Sequence, residues 1–231
     1  MRVSPVLDVP ATAPPVLLQH YDGVRAQSLA LAAPLSDADA TVQSMDDASP
    51  AKWHLAHTTW FFEEFVLGPN VPGYVSPNAR YRYLFNSYYE TVGARHPRPR
   101  RGMLTRPSLE EMRSYRAHVD AAMRSLLARG VPDGIAGLVK LGLHHEQQHQ
   151  ELLLTDLLHL FAQNPLCPAY AGAPPRVHAA AVQPGWVGFQ GGAVQIGRTA
   201  PNPGAHADFM FDCEGPRHTV WLEPYALATH P

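Results

Sequence analysis

Apolar residues recur at the three- and four-residue spacing of amphipathic helices in four parts of the chain. These helical segments run over residues 16–33, 50–67, 108–129 and 135–163. The first 15 residues are rich in proline and alanine, and we expect them to be frayed. Four helices separated by long connections are typical of a four-helix bundle. The pattern therefore predicts a bundle over residues 16–163.

Helix-start signals support three of these segments. Ser49 followed by Pro50 has the order of a serine cap and a proline in the first helical turn. Ser108 and Glu111 have the spacing of a capping box, and Asp133 is placed to cap the last helix. The long connection over residues 68–107 has no lasting period, and a connection of this length in a compact domain usually has a function.

The pattern changes after the fourth helix. Residues 164–185 are rich in proline and alanine, and we expect them to form a linker. Over residues 186–231 the apolar positions alternate as in strands, with glycine and proline between them. The sequence thus predicts an α+β chain in which a helical bundle precedes the first part of a β-rich domain. We expect that second domain to be truncated in these 231 residues.

Composition narrows the function classes. A net charge of -2 with only 16% charged residues excludes a strongly basic nucleic-acid-binding protein. The first thirty residues have no signal-peptide pattern, and no apolar run is long enough to span a bilayer. We therefore expect a cytoplasmic protein without a membrane partner. The 13 histidines are unusual for a chain of this length and point to metal or proton chemistry.

The strongest local signal is the segment HHEQQHQE over residues 144–151. At about 100° per residue, His145 and His149 lie on one leucine-lined stripe of the fourth helix, whereas His144 points elsewhere. Two histidines one turn apart on an inward face can supply half of a metal site. Asp156 returns to the same face about 10 Å further along the helix. We expect Asp156 to line the cavity or to support the ligands.

A third ligand is expected from the second helix, in the aromatic stretch KWHLAHTTWFF. His57 can face the bundle axis, and His54, three residues earlier, flanks it. Both histidines remain candidates on helical phase alone. Three neutral histidines leave coordination positions open, which is typical of a catalytic rather than a structural metal.

The segment His145 to His149 also matches HExxH, the zinc-peptidase pattern in which the glutamate, here Glu146, is the general base. No HxxGxxH continuation follows His149, and no glutamate occurs between Glu151 and Glu214 to serve as a conventional third ligand. A zinc hydrolase is therefore the weaker interpretation of these histidines.

Three segments carry a family resemblance: WHLAHTTWFFEEF, YLFNSYYETVGARHPRPRRG and LGLHHEQQHQELLLTDLLH. They resemble the amino-terminal DinB-like domain of the iron-dependent sulfoxide synthases of ergothioneine biosynthesis, and selenoneine synthases are close relatives of these. The stretches GFQGGAVQIG and FDCEGPRHTVWLEPYALATHP are similar to the start of a formylglycine-generating-enzyme-like domain, which has a C-type-lectin-like fold. The resemblance covers about residues 16–231.

The resemblance implies an iron site made by His57, His145 and His149. It also places Gln148 against the imidazole of a trimethylated histidine betaine. In the family, arginines from the long loop recognise the carboxylates of the sulfur donor, a role that suits the fork of a guanidinium. Arg98 and Arg101 are our candidates for this contact.

The implied cofactor is Fe(II), and the implied partners are trimethylhistidine, a thiol or selenium donor and O2. The implied reaction forms a C–S or C–Se bond at C2 of the imidazole. The family's tyrosine acid falls beyond the end of this chain, so we assign no catalytic residue within it. Two other classes remain open: a DinB-like thiol transferase or hydrolase that uses zinc or nickel without O2, and a non-catalytic metal-binding module.

Overall fold

The computed structural model describes residues 15–87, 92–172, 185–199 and 209–229. Contacts divide the chain into two compact units, Met1–Gly172 and Ala173–Pro231. The expected frayed start and most of the expected linker lie outside the described residues.

The described part of the first unit contains seven α-helices, of which four are long. The helices are α1 (Val16–Ala32), α2 (Asp37–Thr41), α3 (Ala51–Phe61), α4 (Gly68–Asn70), α5 (Tyr81–Leu84), α6 (Leu109–Ala128) and α7 (Asp133–Ala162). A π-helical segment, Phe62–Leu67, continues α3 into α4, and a 3-10 helix, Arg98–Met103, follows α5. The long helices α1, α3, α6 and α7 confirm the four that the sequence predicts, and together they form a helical bundle.

The helix starts confirm one of the three predicted caps. The Ser108 hydroxyl accepts the amide hydrogen of Glu111 and the Glu111 carboxylate accepts that of Ser108, which is the predicted capping box of α6. The prediction for Ser49 is wrong, because Pro50 is the N-cap of α3. The prediction for Asp133 is also wrong, because Asp133 is already the first residue of α7.

Helix α3 is the centre of the bundle. All eleven of its residues are buried, and it packs against α1, α6 and α7. Its large apolar residues favour this burial, and Lys52 is the only lysine, arginine or carboxylate side chain of α3. Polar side chains of α3 such as His54 and His57 are therefore held inside the protein.

A glycine lets α7 approach α3 closely. A Cβ atom at Gly142 would lie 2.7 Å from the ring of Phe61 and 2.6 Å from that of Phe62. A larger residue there would require the two phenylalanine rings to move. The close approach places His145, less than one turn later on α7, against Phe61, with the ring centroids 5.2 Å apart.

The described part of the second unit contains four short strands: β1 (Trp186–Phe189), β2 (Gly192–Ile196), β3 (His218–Leu222) and β4 (Tyr225–Ala228). β1 pairs with β4 and β2 with β3, both antiparallel. Strands are thus present where the sequence predicts them. The likeness to a formylglycine-generating-enzyme domain stays a prediction.

Across the described ranges, no helix combines the length and the apolar character that crossing a membrane would require.

Candidate metal centre

Three histidines from two helices meet at one point of the first unit. α3 contributes His57, and α7 contributes His145 and His149, one turn apart. One ring nitrogen from each lies within 4.8 Å of the other two. The structure therefore brings together the three residues that the resemblance implies as ligands, and it places the α7 pair on the face that helical phase predicts.

His57 is oriented by a backbone group and by two aromatic rings. Its Nδ1 donates to the carbonyl oxygen of Phe85 over 2.5 Å, because a carbonyl can only accept. In neutral His57, Nε2 therefore carries the lone pair, and it faces Nε2 of His145 at 3.3 Å. The ring lies between the stacked rings of Trp53 and Trp60, at centroid distances of 4.7 and 5.5 Å.

His149 is contacted by the other histidine of α3. Its Nδ1 lies 2.9 Å from Nδ1 of His54, and Nε2 of His54 lies 3.0 Å from a carboxylate oxygen of Asp156. The same oxygen of Asp156 accepts the amide hydrogen of Ser49 over 2.8 Å. His54 is thus placed behind His149, and Asp156 supports the ligands as one of its two expected roles requires.

Burial keeps these imidazoles uncharged near neutral pH. It lowers the pKa of His145 to about 4. It also lowers the pKa of His57 and of His149, with further repulsion from the neighbouring histidines. The pKa of His54 is lowered as well, because burial outweighs the attraction of Asp156. Neutral imidazoles are the form that binds metal ions.

The donor set fits a transition metal. Two nitrogens, each about 2.1 Å from one ion, lie about 3.0 to 3.4 Å apart for octahedral and tetrahedral angles. The 3.3 Å between His57 and His145 falls in this range. Nδ1 of His145 is buried without a hydrogen-bond partner among the described residues. The His145 ring therefore has one buried nitrogen that no described residue satisfies, and its other nitrogen lies beside the lone pair of His57.

The three histidines line a cavity of about 630 Å³. Gln148, Arg98 and Arg101, the three substrate-contacting candidates, line the same cavity, together with His54 and Asp156. Arg101 is buried and lies flat over the ring of Trp53, with its guanidinium carbon 3.4 Å from the ring centroid. It donates to the hydroxyls of Ser49 and Ser87, which set the direction of its fork. The cavity therefore has a histidine cluster and a guanidinium pair on its walls.

A comparison with protein families agrees with this architecture. Residues 20–153 match the profile of the DinB superfamily, and this range includes α3, α6, most of α1 and α7, and all three histidines. The chain belongs to the DinB superfamily. No curated protein matches the chain at a significant level.

The DinB bundle contains a second polar cluster, built around Glu146. This carboxylate is buried and accepts hydrogen bonds from Arg25 over 2.9 Å, from Ser28 over 2.5 Å and from Arg116. Arg25 also donates to Asp120 over 2.7 Å. The cluster thus holds two arginines and two carboxylates, so its formal charges cancel.

This cluster argues against the HExxH interpretation. Burial alone would raise the pKa of Glu146, but Arg116 and Arg25 outweigh it and lower that pKa to about 2. A carboxylate held by two guanidiniums cannot serve as a general base at a metal site. His144 also lies outside the histidine cluster, as helical phase predicts, and its ring is 6.5 Å from that of His20.

Sequence reasoning missed the role of His54 and the whole Glu146 cluster in the DinB bundle. A usable signal for the cluster exists, because Arg25 and Arg116 occupy core positions of α1 and α6 among apolar neighbours. Charged residues in such positions need buried partners of opposite charge. No sequence signal predicts that the Phe85 carbonyl accepts a hydrogen bond from His57, since this contact depends on the path of the loop.

Proposed function

We propose that this DinB domain is the iron-binding part of a non-haem, O2-dependent enzyme that joins sulfur or selenium to C2 of the trimethylhistidine imidazole. The observation that carries the proposal is the single cavity whose walls hold three neutral histidines, one glutamine and two arginines. The sequence resemblance supplies the identity of the substrates.

His57, His145 and His149 would hold the metal through ring nitrogens. Three histidine ligands leave coordination positions open, and bound Fe(II) would supply the one-electron and O2 chemistry of the reaction. The protein contributes ligands that stay deprotonated, because burial lowers the pKa of each. It also contributes indole walls beside His57, which limit access of water.

Gln148 and the arginines are suited to substrate contacts. The Gln148 side chain is exposed to the cavity one residue before His149, where its amide can hydrogen-bond an imidazole nitrogen. Arg101 is oriented before binding by Ser49, Ser87 and Trp53, so a carboxylate of the donor would meet a fixed fork. Arg98 adds a second positive charge on the same wall.

The test is turnover under controlled oxygen. The protein is loaded anaerobically with Fe(II), mixed with trimethylhistidine and either cysteine, γ-glutamylcysteine or a selenium sugar, and then exposed to O2. Mass spectrometry should detect an imidazole that carries the chalcogen of one donor. No product with any donor, from protein that binds Fe(II), would contradict the proposal.

A second candidate is a metal-dependent thiol transferase that needs no O2. Membership of the DinB superfamily favours it, because the match covers the bundle and does not depend on the second unit. A thiol cannot replace the C2 hydrogen of an imidazole without an oxidant, so a transferase must instead displace a leaving group from an electrophilic acceptor. Anaerobic mixtures of the Zn²⁺- or Ni²⁺-loaded protein with cysteine and an electrophile such as 1-chloro-2,4-dinitrobenzene, which loses chloride, separate the two candidates. Product formation without O2 would favour the transferase.

A further inference from the structure

We infer that His54 and Asp156 form a positioning pair that keeps the proton of His149 on Nδ1 and so presents Nε2 of His149 to the metal. The consequence for metal binding rests on the proposed iron site. The proton arrangement itself does not, because it belongs to the metal-free protein.

The geometry is a continuous chain of hydrogen bonds between the two helices that carry the ligands. The amide of Ser49, just before α3, donates to Asp156 of α7 over 2.8 Å. The same carboxylate oxygen lies 3.0 Å from Nε2 of His54, and Nδ1 of His54 lies 2.9 Å from Nδ1 of His149. His54 is only 3% exposed, so its ring is held inside the protein at the edge of the cavity.

The positions of the protons follow from the donor and acceptor chemistry. A carboxylate that already accepts from Ser49 can only accept from His54, so the proton of neutral His54 lies on Nε2. Nδ1 of His54 is then an acceptor. The 2.9 Å contact between the two Nδ1 atoms therefore needs the proton of His149 on its Nδ1. Nε2 of His149 keeps its lone pair for a metal ion.

The other histidine of α3, His57, has its proton fixed on Nδ1 in the same way, by a backbone carbonyl. His57 donates its Nδ1 proton to the Phe85 carbonyl, and its Nε2 is left as the lone-pair nitrogen. A metal-bound histidine usually donates its second ring nitrogen to a carbonyl or carboxylate, and loss of that partner costs about 10- to 100-fold in metal affinity. His149 reaches its carboxylate through an intervening imidazole.

The experiment compares two replacements of His54 that differ in one atom type. In His54→Asn the amide oxygen can occupy the place of Nδ1 and still accept from His149, whereas His54→Leu has no acceptor. Two-dimensional ¹⁵N NMR of the metal-free protein reports which ring nitrogen of His149 carries the proton, and titration with Co²⁺ measures affinity. His144→Ala, on another face of α7, is the control.

We expect wild type and His54→Asn to show protonated Nδ1 at His149, and His54→Leu to shift the proton to Nε2. Co²⁺ affinity should fall about 10- to 100-fold in His54→Leu and less than about fivefold in His54→Asn and His144→Ala. Asp156→Ala should give a mixed protonation of His149. If Nδ1 of His149 stays fully protonated in Asp156→Ala, Asp156 does not control the position of this proton.

Two results would overturn the inference: protonated Nε2 at His149 in the wild type, or equal Co²⁺ affinity in the Leu and Asn variants. The wild-type spectrum tests the inference even if His54→Leu fails to fold. Failure of the proposed function looks different. In that case the wild-type His149 still shows protonated Nδ1, while no chalcogen product forms.

Discussion

His145 and Glu146 are adjacent in sequence and enter two opposite kinds of buried polar cluster. The histidine side of α7 holds imidazoles that burial keeps neutral, and it opens onto a cavity. The glutamate side holds charges that cancel each other, meets α1 and α6, and borders a cavity of only about 10 Å³. The first cluster leaves nitrogen lone pairs available, and the second uses every carboxylate.

The difference teaches how one helix can carry a reactive site and a structural cluster one residue apart. Burial alone lowers the pKa of histidine and raises that of a carboxyl. Around Glu146 two guanidiniums reverse the effect of burial. A similar reversal raises the pKa of Arg25, because burial lowers it but Glu146, Tyr21 and Asp120 together outweigh burial. Around His145 no carboxylate does so, and the ring stays neutral.

Replacing the two histidine ligands of α7 should give the largest effect, a loss of Fe(II) affinity. The double variant His145→Ala, His149→Ala loses two of three ligands, so Fe(II) affinity should fall by at least roughly a thousandfold. Anaerobic titration calorimetry measures it, with His144→Ala as the matched control. Unchanged Fe(II) binding in the double variant would show that these histidines are not the ligands.

Removing the charge of Glu146 should lower the free energy of unfolding rather than the affinity for metal. Glu146→Gln leaves two buried arginines with one remaining carboxylate, Asp120, and breaking a buried ion pair in this way typically costs about 3 to 5 kcal/mol of unfolding free energy. Urea denaturation measures this cost. The exposed pair Arg124–Asp22 provides the control, since Arg124→Gln should cost about 1 kcal/mol or less. Equal costs for both variants would contradict the contrast.

The two clusters should also respond to acid in different pH ranges. The pKa of His145 is lowered to about 4, below the 6.5 of an unfolded histidine, so the unfolded state binds the proton first. Stability of the metal-free protein should therefore fall from about pH 6.5 towards 4, by about 2 kcal/mol at pH 5 from His145 alone.

Glu146 has a lowered pKa of about 2, so its stabilisation is present above about pH 4.5 and is lost as pH falls towards 2. Urea denaturation as a function of pH, repeated on His145→Gln, checks both ranges. The variant should lose part of the dependence between pH 6.5 and 4 and keep the part below pH 4.5. A variant with unchanged dependence above pH 4.5 would exclude His145 as its source.

The smallest expected effect is a change in the KM for the donor when Arg101, on the cavity wall, is replaced. Arg101→Lys keeps the charge but loses the fork and the stacking on Trp53, so the KM for the donor should rise about tenfold with kcat nearly unchanged. Arg100→Lys, whose side chain is exposed and does not line the cavity, should leave KM unchanged. A similar KM for wild type and Arg101→Lys would remove Arg101 from donor binding.

The sequence predicts the histidine cluster better than it predicts the Glu146 cluster. Helical phase selects His145 and His149 and excludes His144, because one periodic stripe of α7 faces the histidines of α3 and the cavity. Phase cannot choose between His54 and His57, since both faces of α3 are buried. The resemblance points to His57, and the structure gives His54 a different task behind His149.

The Glu146 cluster could not be predicted from the motif around it. Its partners lie 30 residues away or more, at Arg25 on α1 and Arg116 on α6, and only the packing of three helices brings them together. The predicted cap at Ser49 fails for a related reason. Asp156, far along the chain, accepts the Ser49 amide hydrogen, and the Ser49 hydroxyl accepts from Arg101.

The most direct test of the central claim is X-ray absorption spectroscopy of the protein loaded anaerobically with one equivalent of Fe(II). Three neutral imidazoles around one ion predict three nitrogen scatterers at about 2.1 Å, with the multiple-scattering pattern of imidazole rings. The pattern should disappear in the His145→Ala, His149→Ala variant. One imidazole or none around the wild-type iron would contradict a site made by His57, His145 and His149.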